Sequence, residues 1–194
     1  MPARARGLPR GLAPLISQAQ IYRRLSAMAR AIPRRIPVRE RPIAIVVLQG
    51  AFIFAADLLR RLPSTYDIDV AFLRCQSYGS GTKSSGRVML LQDIDSEIDL
   101  RGRTVLLIDD ILDSGLTLKF LTDHLKRRGA KRIRVCVLLH RNPGSNASGI
   151  VPDLAGFPVR SEFVVGYGLD YAGRYRHLPG LAALVRHAHS GKKQ

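Results

Sequence analysis

The sequence has few cysteines and no long apolar segment. Cys75 and Cys136 are the only cysteines among the 194 residues, and their spacing matches neither a metal site nor a disulfide framework. The longest apolar runs, such as residues 43–48, are far too short to cross a bilayer and are typical of buried strands. These shortages argue against a disulfide-rich secreted protein and against a helical membrane protein. We expect a globular cytoplasmic protein with both thiols reduced.

Acidic residues are scarce in the first third of the chain. Residues 1–61 contain 12 of the 31 lysines and arginines but only Glu40 and Asp57 as acids, and the whole chain has a formal net charge of +16. A charge of this size attracts polyanions. The sequence contains no basic motif interleaved with aromatic residues and no recognised nucleic-acid module. We therefore interpret the charge as a solvated surface that helps to collect phosphorylated substrates, and we do not expect nucleic acid as a partner.

The two ends of the chain differ in composition from the part between them. The start has three arginines among Ala, Gly and Pro, and the last four residues are Gly-Lys-Lys-Gln. Terminal segments of this kind are poorly ordered unless other contacts hold them. We predict a disordered basic arm, one folded domain and a loose basic tail, at residues 1–13, 14–186 and 187–194.

Short apolar runs alternate with helical patterns along the predicted domain. Strand-like runs occupy residues 43–48, 68–74, 87–92, 104–109, 132–139 and 163–166. Helical patterns cover a stripe over 15–32 that we expect Pro33 to end, then 52–62 and about 115–128. Continuous apolar strands that alternate with helices indicate an α/β fold, with a central, mainly parallel twisted sheet and helices on both faces. Ligands of such sheets gather at the carboxyl ends of the strands.

The segment from Thr104 to Leu118 has the clearest chemical pattern in the chain. An apolar strand leads to the paired acids Asp109 and Asp110, and a turn of small residues then opens a helix. Backbone N–H groups at a helix N-terminus bind phosphate without a lysine. Carboxylates beside a phosphate site need a cation or hydroxyl groups next to them, and a sugar phosphate with Mg²⁺ provides both. The alternative is a simple helix N-cap at Asp113 or Ser114.

This segment closely resembles the phosphoribosyl-pyrophosphate (PRPP) motif of type I phosphoribosyltransferases, and most of all that of the hypoxanthine-guanine branch. The resemblance covers roughly residues 14–180. It implies that Asp109 and Asp110 face the ribose hydroxyls and the magnesium shell, and that Asp113 is the general base at the purine N7. The family often has Glu at the first acid, so Asp109 is a modest departure. The 5′-phosphate would lie on the turn formed by Asp113, Ser114, Gly115, Leu116 and Thr117.

Three more segments resemble parts of the same family. Gln49 and Gly50 stand where the family has its pyrophosphate-binding loop, which usually has Lys or Arg in place of Gln49 and often contains a cis peptide. Arg176 also falls where the family contacts pyrophosphate. Ser77 and Tyr78 resemble the start of the mobile loop that closes over the reaction and shields it from water. Taken alone, these segments are also compatible with a strand-to-helix turn and a hairpin connection.

Residues 162–171 resemble the purine pocket of the family. The resemblance implies that Phe163 stacks on the base, that the backbone of Val164 contacts the purine edge, and that Asp170 holds a second magnesium ion or its waters. Out of context, the apolar run at this place would simply be a buried strand.

One departure from the family concerns recognition of the base. The family usually has a Lys after the strand that ends near Leu139, and this Lys donates to the 6-oxo group of the purine. The present chain has His140, Arg141 and Asn142 there. We expect His140 to donate the hydrogen bond, with Arg141 as the alternative donor.

The resemblance implies a complete reaction and a small hood, formed by the N-terminal segment and the region near 140–180. A 6-oxopurine, hypoxanthine or guanine, would displace pyrophosphate from PRPP in purine salvage. Mg²⁺ is the expected cofactor, and we expect a homo-oligomer, either dimer or tetramer. The alternative is a PRPP-binding regulatory or RNA-binding protein on the same fold, with weak or no catalysis. The predicted metal ligands are Asp109, Asp110 and Asp170.

Overall fold

The structure, a computed structural model, describes residues 7–78, 87–144 and 148–185. Residues 1–6 of the predicted arm and the whole predicted tail lie outside these ranges. A short 3₁₀ helix spans Val38–Glu40. The other elements, in chain order, are β1 (Leu12–Ile16), α1 (Gln18–Arg35), β2 (Ile43–Leu48), α2 (Phe52–Leu59), β3 (Asp69–Tyr78), β4 (Arg87–Gln92), β5 (Thr104–Leu112), α3 (Leu116–Arg127), β6 (Arg132–Arg141), β7 (Leu154–Val159), β8 (Val164–Val165) and β9 (Leu181–Leu184).

The main sheet has six strands in the order β4-β3-β2-β5-β6-β7. The neighbouring pairs from β3 to β7 are parallel, and β4 pairs with β3 in the antiparallel direction. The prediction of a central, mainly parallel sheet is confirmed. Because the parallel strands share one direction, their carboxyl ends meet at one edge of the sheet.

Side chains of the central strands alternate between two hydrophobic clusters, one on each face of the sheet. Ala44 and Val46 of β2 pack with residues of α1 and α2, whereas Ile45 and Val47 of the same strand pack with α3. A fully buried Leu or Ile side chain stabilises the fold by roughly 1.5–3 kcal/mol relative to an exposed one. The prediction of helices on both faces is confirmed.

Helix α1 begins at a capping box and continues past its proline. Ser17 Oγ accepts from the Gln20 N–H at 3.3 Å, and Gln20 Oε1 accepts from the Ser17 N–H at 2.8 Å. The prediction that Pro33 ends this helix is wrong, because α1 continues to Arg35. A proline in the last turn removes only its own N–H donor, and the next turn still closes through the Ile36 N–H and the Ile32 carbonyl at 2.8 Å.

A second, antiparallel sheet with the order β1-β9-β8 forms the hood. The predicted arm is too long at its C-terminal end, because Leu12 and Ala13 are in β1 and pair with Leu184 and Ala183. Backbone pairing with β9 orders these residues although the composition around them is that of a loose segment.

In the C-terminal part of the chain, one strand is shorter than the sequence predicts and another was not predicted. The apolar run at 163–166 contains only the short strand β8, which pairs with β9 in the hood instead of joining the main sheet. The outer strand of the main sheet is β7, which the sequence did not indicate because Gly156 and Pro158 interrupt its apolar run. A proline is compatible with this position because β7 is an edge strand.

Candidate active site

A cavity of about 570 Å³ lies at the carboxyl ends of β2, β3 and β5. It combines residues from the acid pair, the small-residue turn and the predicted pyrophosphate loop. It also includes residues of the connection between β8 and β9, residues 166–180, which we name the hood segment. The lining residues are Val47, Leu48, Gln49, Gly50, Cys75, Gln76, Val88, Asp109, Asp110, Ile111, Asp113, Ser114, Gly115, Leu116, Thr117, Leu118, Asp170 and Arg176. All the residues that the sequence predicted for PRPP and pyrophosphate therefore line one cavity.

The turn at 113–117 opens helix α3 through a glycine. Gly115 is the N-cap and has φ 79° and ψ 0°, a left-handed conformation that glycine adopts without strain. Ser114 Oγ is 3.5 Å from the Leu116 backbone nitrogen, a long contact. The alternative that Asp113 or Ser114 is a simple N-cap is wrong, because Gly115 occupies that position and has no side chain. The N-terminus of α3 thus faces the cavity and suits an anion.

The paired acids at the end of β5 are close together and largely shielded from solvent. Asp109 is buried and Asp110 is half-buried, and the Asp110 N–H donates to Asp109 Oδ1 at 2.9 Å. Burial raises the pKa of Asp109 well above its ordinary value, and the charge of Asp110 raises it further. Burial also raises the pKa of Asp110, although the positive charge of Arg176 opposes the shift. This arrangement favours a cation or a hydroxyl donor beside the two carboxylates.

Cys75 lines the same cavity and was not predicted to be there. Burial, followed by the charges of Asp109 and Asp110, raises the pKa of its thiol to about 12. The thiol is therefore protonated at neutral pH and is a poor nucleophile. Its presence shows that β3 contributes to the wall of the site.

The predicted pyrophosphate loop contacts the acid pair directly. The Leu48–Gln49 peptide is cis, as the resemblance implied. A Cβ atom on Gly50 would lie 1.5 Å from Asp110 Oδ2, so no other residue fits there without displacing the carboxylate. Gly168 of the hood segment approaches from the other side, where a Cβ atom would lie 2.2 Å from the Gly50 carbonyl oxygen. The acid pair, the loop and the hood segment are in contact through these two glycines.

Asp170 and Arg176 form an ion pair on the hood side of the cavity. Arg176 Nη2 is 2.7 Å from Asp170 Oδ1, and Arg176 Nη1 donates to the Gly168 carbonyl at 2.6 Å. The Gly173 N–H donates to Asp170 Oδ2 at 2.6 Å. Both side chains are therefore held in place before any ligand binds.

A buried pair that the sequence did not indicate fixes this hood segment to α2. The Tyr167 hydroxyl donates to Asp57 Oδ2 at 2.6 Å, and both residues are buried. Asp57 also forms ion pairs with Arg60 and Arg61. The one indication in the sequence is an aspartate in the otherwise apolar stretch Phe52–Leu59, where an acid requires a buried partner.

Asp113 is paired with Arg141. Arg141 Nε lies 3.1 Å from Asp113 Oδ2, while Arg141 Nη1 donates to the carbonyl of Glu162 at 3.0 Å and to that of Arg160. The structure does not bring His140 to the cavity, because successive side chains of a strand point to opposite faces. His140 Nε2 is buried without a hydrogen-bond partner among the described residues, and burial lowers its pKa, so the ring is neutral at pH 7.

The predicted purine contacts lie outside the acidic cavity. Phe163 is exposed and meets the ring of Tyr171 edge to face, with centroids 5.5 Å apart. Val164 is opposite Ala183 in the β8–β9 pair, and the Leu184 N–H donates to the Phe163 carbonyl at 2.8 Å. In such a ladder the backbone groups of Val164 point away from β9.

Ser77 and Tyr78 form the end of β3. Their side chains, and the loop at 79–86 that follows them, lie outside the described residues. The prediction of a mobile loop at this place therefore stays a prediction.

The family model for the phosphoribosyl transferase domain matches residues 17–172. The chain belongs to this phosphoribosyltransferase family. The fold, the sheet order and the acid-plus-turn cavity at the carboxyl edge agree with this membership, and the resemblance stated from the sequence is confirmed.

Several curated phosphoribosyltransferases are similar to the chain. The hypoxanthine-guanine phosphoribosyltransferase of Bacillus subtilis is 46% identical over 143 residues, which is 74% of this chain and 77% of that protein. The hypoxanthine phosphoribosyltransferase of Escherichia coli is 37% identical over 172 residues, 88% of this chain and 94% of that protein. The bifunctional protein TilS/HprT of Listeria innocua is 42% identical over 170 residues. That match covers 88% of this chain, and the chain spans only 25% of the length of the bifunctional protein.

Solved phosphoribosyltransferase structures are similar as well. A hypoxanthine-guanine phosphoribosyltransferase from Bacillus anthracis is 39% identical with a TM-score of 0.81, and the match covers 89% of this chain and 98% of that one. The hypoxanthine phosphoribosyltransferase of Trypanosoma cruzi in complex with the product IMP is 29% identical, with a TM-score of 0.80 and coverage of 92% and 97%. These names support the prediction of purine salvage, and none of them supports the regulatory or RNA-binding alternative.

Among residues 7–78, 87–144 and 148–185, no group of three or more His, Cys, Asp or Glu side chains is placed to hold a metal ion. Over the same ranges, no helix has the length and apolar character needed to span a membrane.

Proposed function

We propose that the chain transfers the 5-phosphoribosyl group from PRPP to a 6-oxopurine, hypoxanthine or guanine, and releases pyrophosphate with IMP or GMP. The observation that carries this proposal is the cavity in which the acid pair, buried Asp109 and half-buried Asp110, lies with the open N-terminus of α3. A sugar phosphate satisfies both halves of this cavity, because its hydroxyls donate to carboxylates and its phosphate accepts from backbone N–H groups.

The residues around the cavity suggest how PRPP would lie. The 5′-phosphate would accept from the N–H groups of the turn at 113–117, with the hydroxyls of Ser114 and Thr117 as further donors. The ribose hydroxyls would donate to Asp109 and Asp110. The pyrophosphate would extend toward Gln49, Gly50 and Arg176, which line the other side of the cavity.

Mg²⁺ fits this donor set when the substrate shares in holding it. Asp109 and Asp110 offer carboxylate oxygens on one side of the cavity and Asp170 offers them on the other. Mg²⁺ commonly uses one or two carboxylates together with phosphate oxygens and water. When bound, the ion would neutralise charge on the pyrophosphate as it leaves.

Asp113 is the proposed general base. In the reaction the purine N9 attacks C1′ of the ribose, the bond from C1′ to the pyrophosphate oxygen breaks, and the proton on N7 passes to the Asp113 carboxylate. Two observations support this role: Asp113 lines the cavity with a side chain that is 63% exposed, and its Oδ2 forms an ion pair with Arg141 at 3.1 Å. Asp109 and Asp110 would stabilise the positive charge that develops on the ribose.

Arg141 is the proposed donor to the 6-oxo group of the base, in place of His140. Its guanidinium lies beside the general base, whereas the neutral His140 ring lies outside the cavity. Phe163, which is exposed next to Tyr171, remains the proposed stacking partner for the purine, and the outward backbone of Val164 remains the proposed contact for its edge.

We also propose that the protein is a cytoplasmic homo-oligomer, either dimer or tetramer. Four apolar residues on one face of the β3–β4 pair support assembly because they are 42–48% exposed: Val70, Phe72, Met89 and Leu91. An apolar surface of this kind at the edge of a sheet is typical of an interface. Light scattering coupled to size-exclusion chromatography measures the assembly directly.

A steady-state assay with PRPP and Mg²⁺ tests the proposed activity. Adenine, hypoxanthine, guanine and xanthine are compared at equal concentration, with a reaction containing EDTA as control. We expect turnover with hypoxanthine or guanine, none with adenine, which lacks the 6-oxo group, and none with EDTA. The absence of turnover with every base, while PRPP still binds, would favour the regulatory alternative.

A further inference from the structure

Arg141 connects the proposed general base to a part of the hood that does not line the acidic cavity. Its Nη1 donates to the carbonyl of Glu162 at 3.0 Å and to the carbonyl of Arg160, while its Nε lies 3.1 Å from Asp113 Oδ2. The Arg141 side chain is 18% exposed. The Nε contact with Asp113 is an ion pair without hydrogen-bond geometry. Because the guanidinium is planar and rigid, a shift of Nη1 moves Nε with it.

The two carbonyls belong to a short turn, residues 160–162, which we name the hood turn. Glu162 Oε2 accepts from the Arg160 N–H at 2.9 Å and so closes this turn on itself. Hydrogen bonds from the backbone N–H groups of Glu162 and then of Arg160 lower the pKa of the Glu162 carboxyl, so it is ionised at neutral pH. The Asn142 N–H donates to the Val159 carbonyl at 2.9 Å and attaches the turn to the end of β6.

We propose that Glu162 is a positioning residue for the reaction, and that it orients the Asp113 carboxylate through the hood turn and Arg141. This inference rests on the proposed role of Asp113 as general base. Glu162 itself is outside the residues that line the acidic cavity. The hood turn leads directly into Phe163 and Val164. The contacts of Arg141 therefore connect the proposed purine-binding residues to Asp113, the proposed general base.

The link predicts a specific kinetic effect. Glu162→Ala removes the carboxylate that closes the turn, so kcat/KM for hypoxanthine should fall about three- to tenfold, the equivalent of one net hydrogen bond. The KM for PRPP should stay near that of the parent, because the phosphate turn and the acid pair are unchanged. Glu162→Gln keeps an oxygen that accepts from the Arg160 N–H and should restore most of the activity. Glu97→Ala, which removes another exposed glutamate, is the matched control and should have no effect.

A double-mutant cycle separates this role from a general structural one. Arg141→Lys breaks the planar contact, so adding Glu162→Ala to it should cause little further loss if Glu162 acts through Arg141. All rates are normalised to the folded fraction, which is measured by circular dichroism. Losses that multiply in the double variant, or an Ala variant with parental kcat/KM, would overturn the proposal.

A structure of the Glu162→Ala variant tests the link even without turnover. The Arg141 guanidinium should leave Asp113 in that variant and remain beside it in Glu162→Gln. An unmoved Arg141 in the Ala variant would overturn the positioning role whatever the activity. If the parent itself converts no 6-oxopurine, the proposed function fails, while the displacement of Arg141 still decides the positional link.

Discussion

The amino and carboxyl ends of the parallel strands form two edges of the main sheet, and the buried charged residues at these edges differ in how they are paired. At the amino edge, Arg103 is buried and donates to the Arg41 carbonyl at 2.9 Å, to the Pro42 carbonyl at 3.1 Å and to Asp69. At the carboxyl edge, Asp109 is buried beside a second acid. Neither Asp109 nor Asp110 has a salt-bridge partner within the described part of the chain.

The pKa shifts of the acids at the two edges have opposite signs. At the amino edge, a hydrogen bond from Thr104 and then the charge of Arg132 lower the pKa of Glu40. At the carboxyl edge, burial and the charge of Asp110 raise the pKa of Asp109. The first edge neutralises its charges within the protein and contributes to stability. The second leaves Asp109 without a salt-bridge partner and offsets the charge of Asp110 only through Arg176, which is destabilising unless a ligand supplies the missing positive charge or donors.

The largest effect should come from Asp113→Asn. The change removes the proton acceptor and keeps the size of the side chain, so turnover with hypoxanthine or guanine should fall by a factor of ~10²–10⁴. Thermal unfolding should be close to that of the parent, since Asp113 is not the N-cap of α3. Asp123→Asn on the exposed side of α3 is the matched control. Turnover within about threefold of the parent would refute the general-base role.

The next largest effect should come from Gly50→Ala. The added methyl group collides with the Asp110 carboxylate, because a Cβ atom at Gly50 would lie 1.5 Å from Oδ2. Displacing a positioned group by about 1 Å can reduce the rate on the order of 10²-fold, and we expect such a loss in kcat/KM for PRPP. Gly7→Ala, whose Cβ would have nothing within 4 Å, is the control. A fully active Gly50→Ala enzyme would show that Asp110 tolerates displacement.

Arg103→Met probes the amino edge and should change stability without changing the chemistry. It leaves two carbonyls and Asp69 without their donor, so the free energy of unfolding should fall by about 2–3 kcal/mol. Urea denaturation measures this, and kcat per folded molecule should match that of the parent. Arg101→Met, at an exposed ion pair, should leave the urea midpoint close to that of the parent. A large loss of kcat in the folded Arg103 variant would contradict the division between the two edges.

The sequence predicted the carboxyl edge better than it predicted the hood. The acid pair and the small-residue turn are contiguous, so one segment was enough to predict that they share a phosphate site. The hood sheet combines β1, β8 and β9 from both ends of the domain, and these short strands acquire order from long-range pairing. Local sequence patterns carry no information about long-range pairing, so the composition around Leu12 and Ala13 predicts a disordered arm where the structure has a strand.

The directions of the side chains at the end of β6 could not be predicted from the sequence either. His140 and Arg141 are adjacent and both can donate, so composition could not decide which of them reaches the site. Successive side chains of a strand point to opposite faces, so the register of β6 against β5 determines that Arg141, and not His140, points toward the site. The link between Tyr167 and Asp57 depends in the same way on contacts between residues that are 110 positions apart.

Thermal unfolding and turnover of Asp109→Asn, measured together, test the contrast between the two edges most directly. Because the folded pKa of Asp109 is raised above its ordinary value of 3.8, ionisation destabilises the folded protein increasingly as the pH rises from 3.8 through the folded pKa. Without ligand at pH 7, the Asn variant should therefore be more stable by about 1 kcal/mol, or roughly 2–4 °C in Tm. The difference should vanish near pH 3.8, and turnover at pH 7 should fall. A variant less stable than the parent at pH 7, or one with undiminished turnover, would contradict the claim that this edge retains uncompensated charge for its ligand.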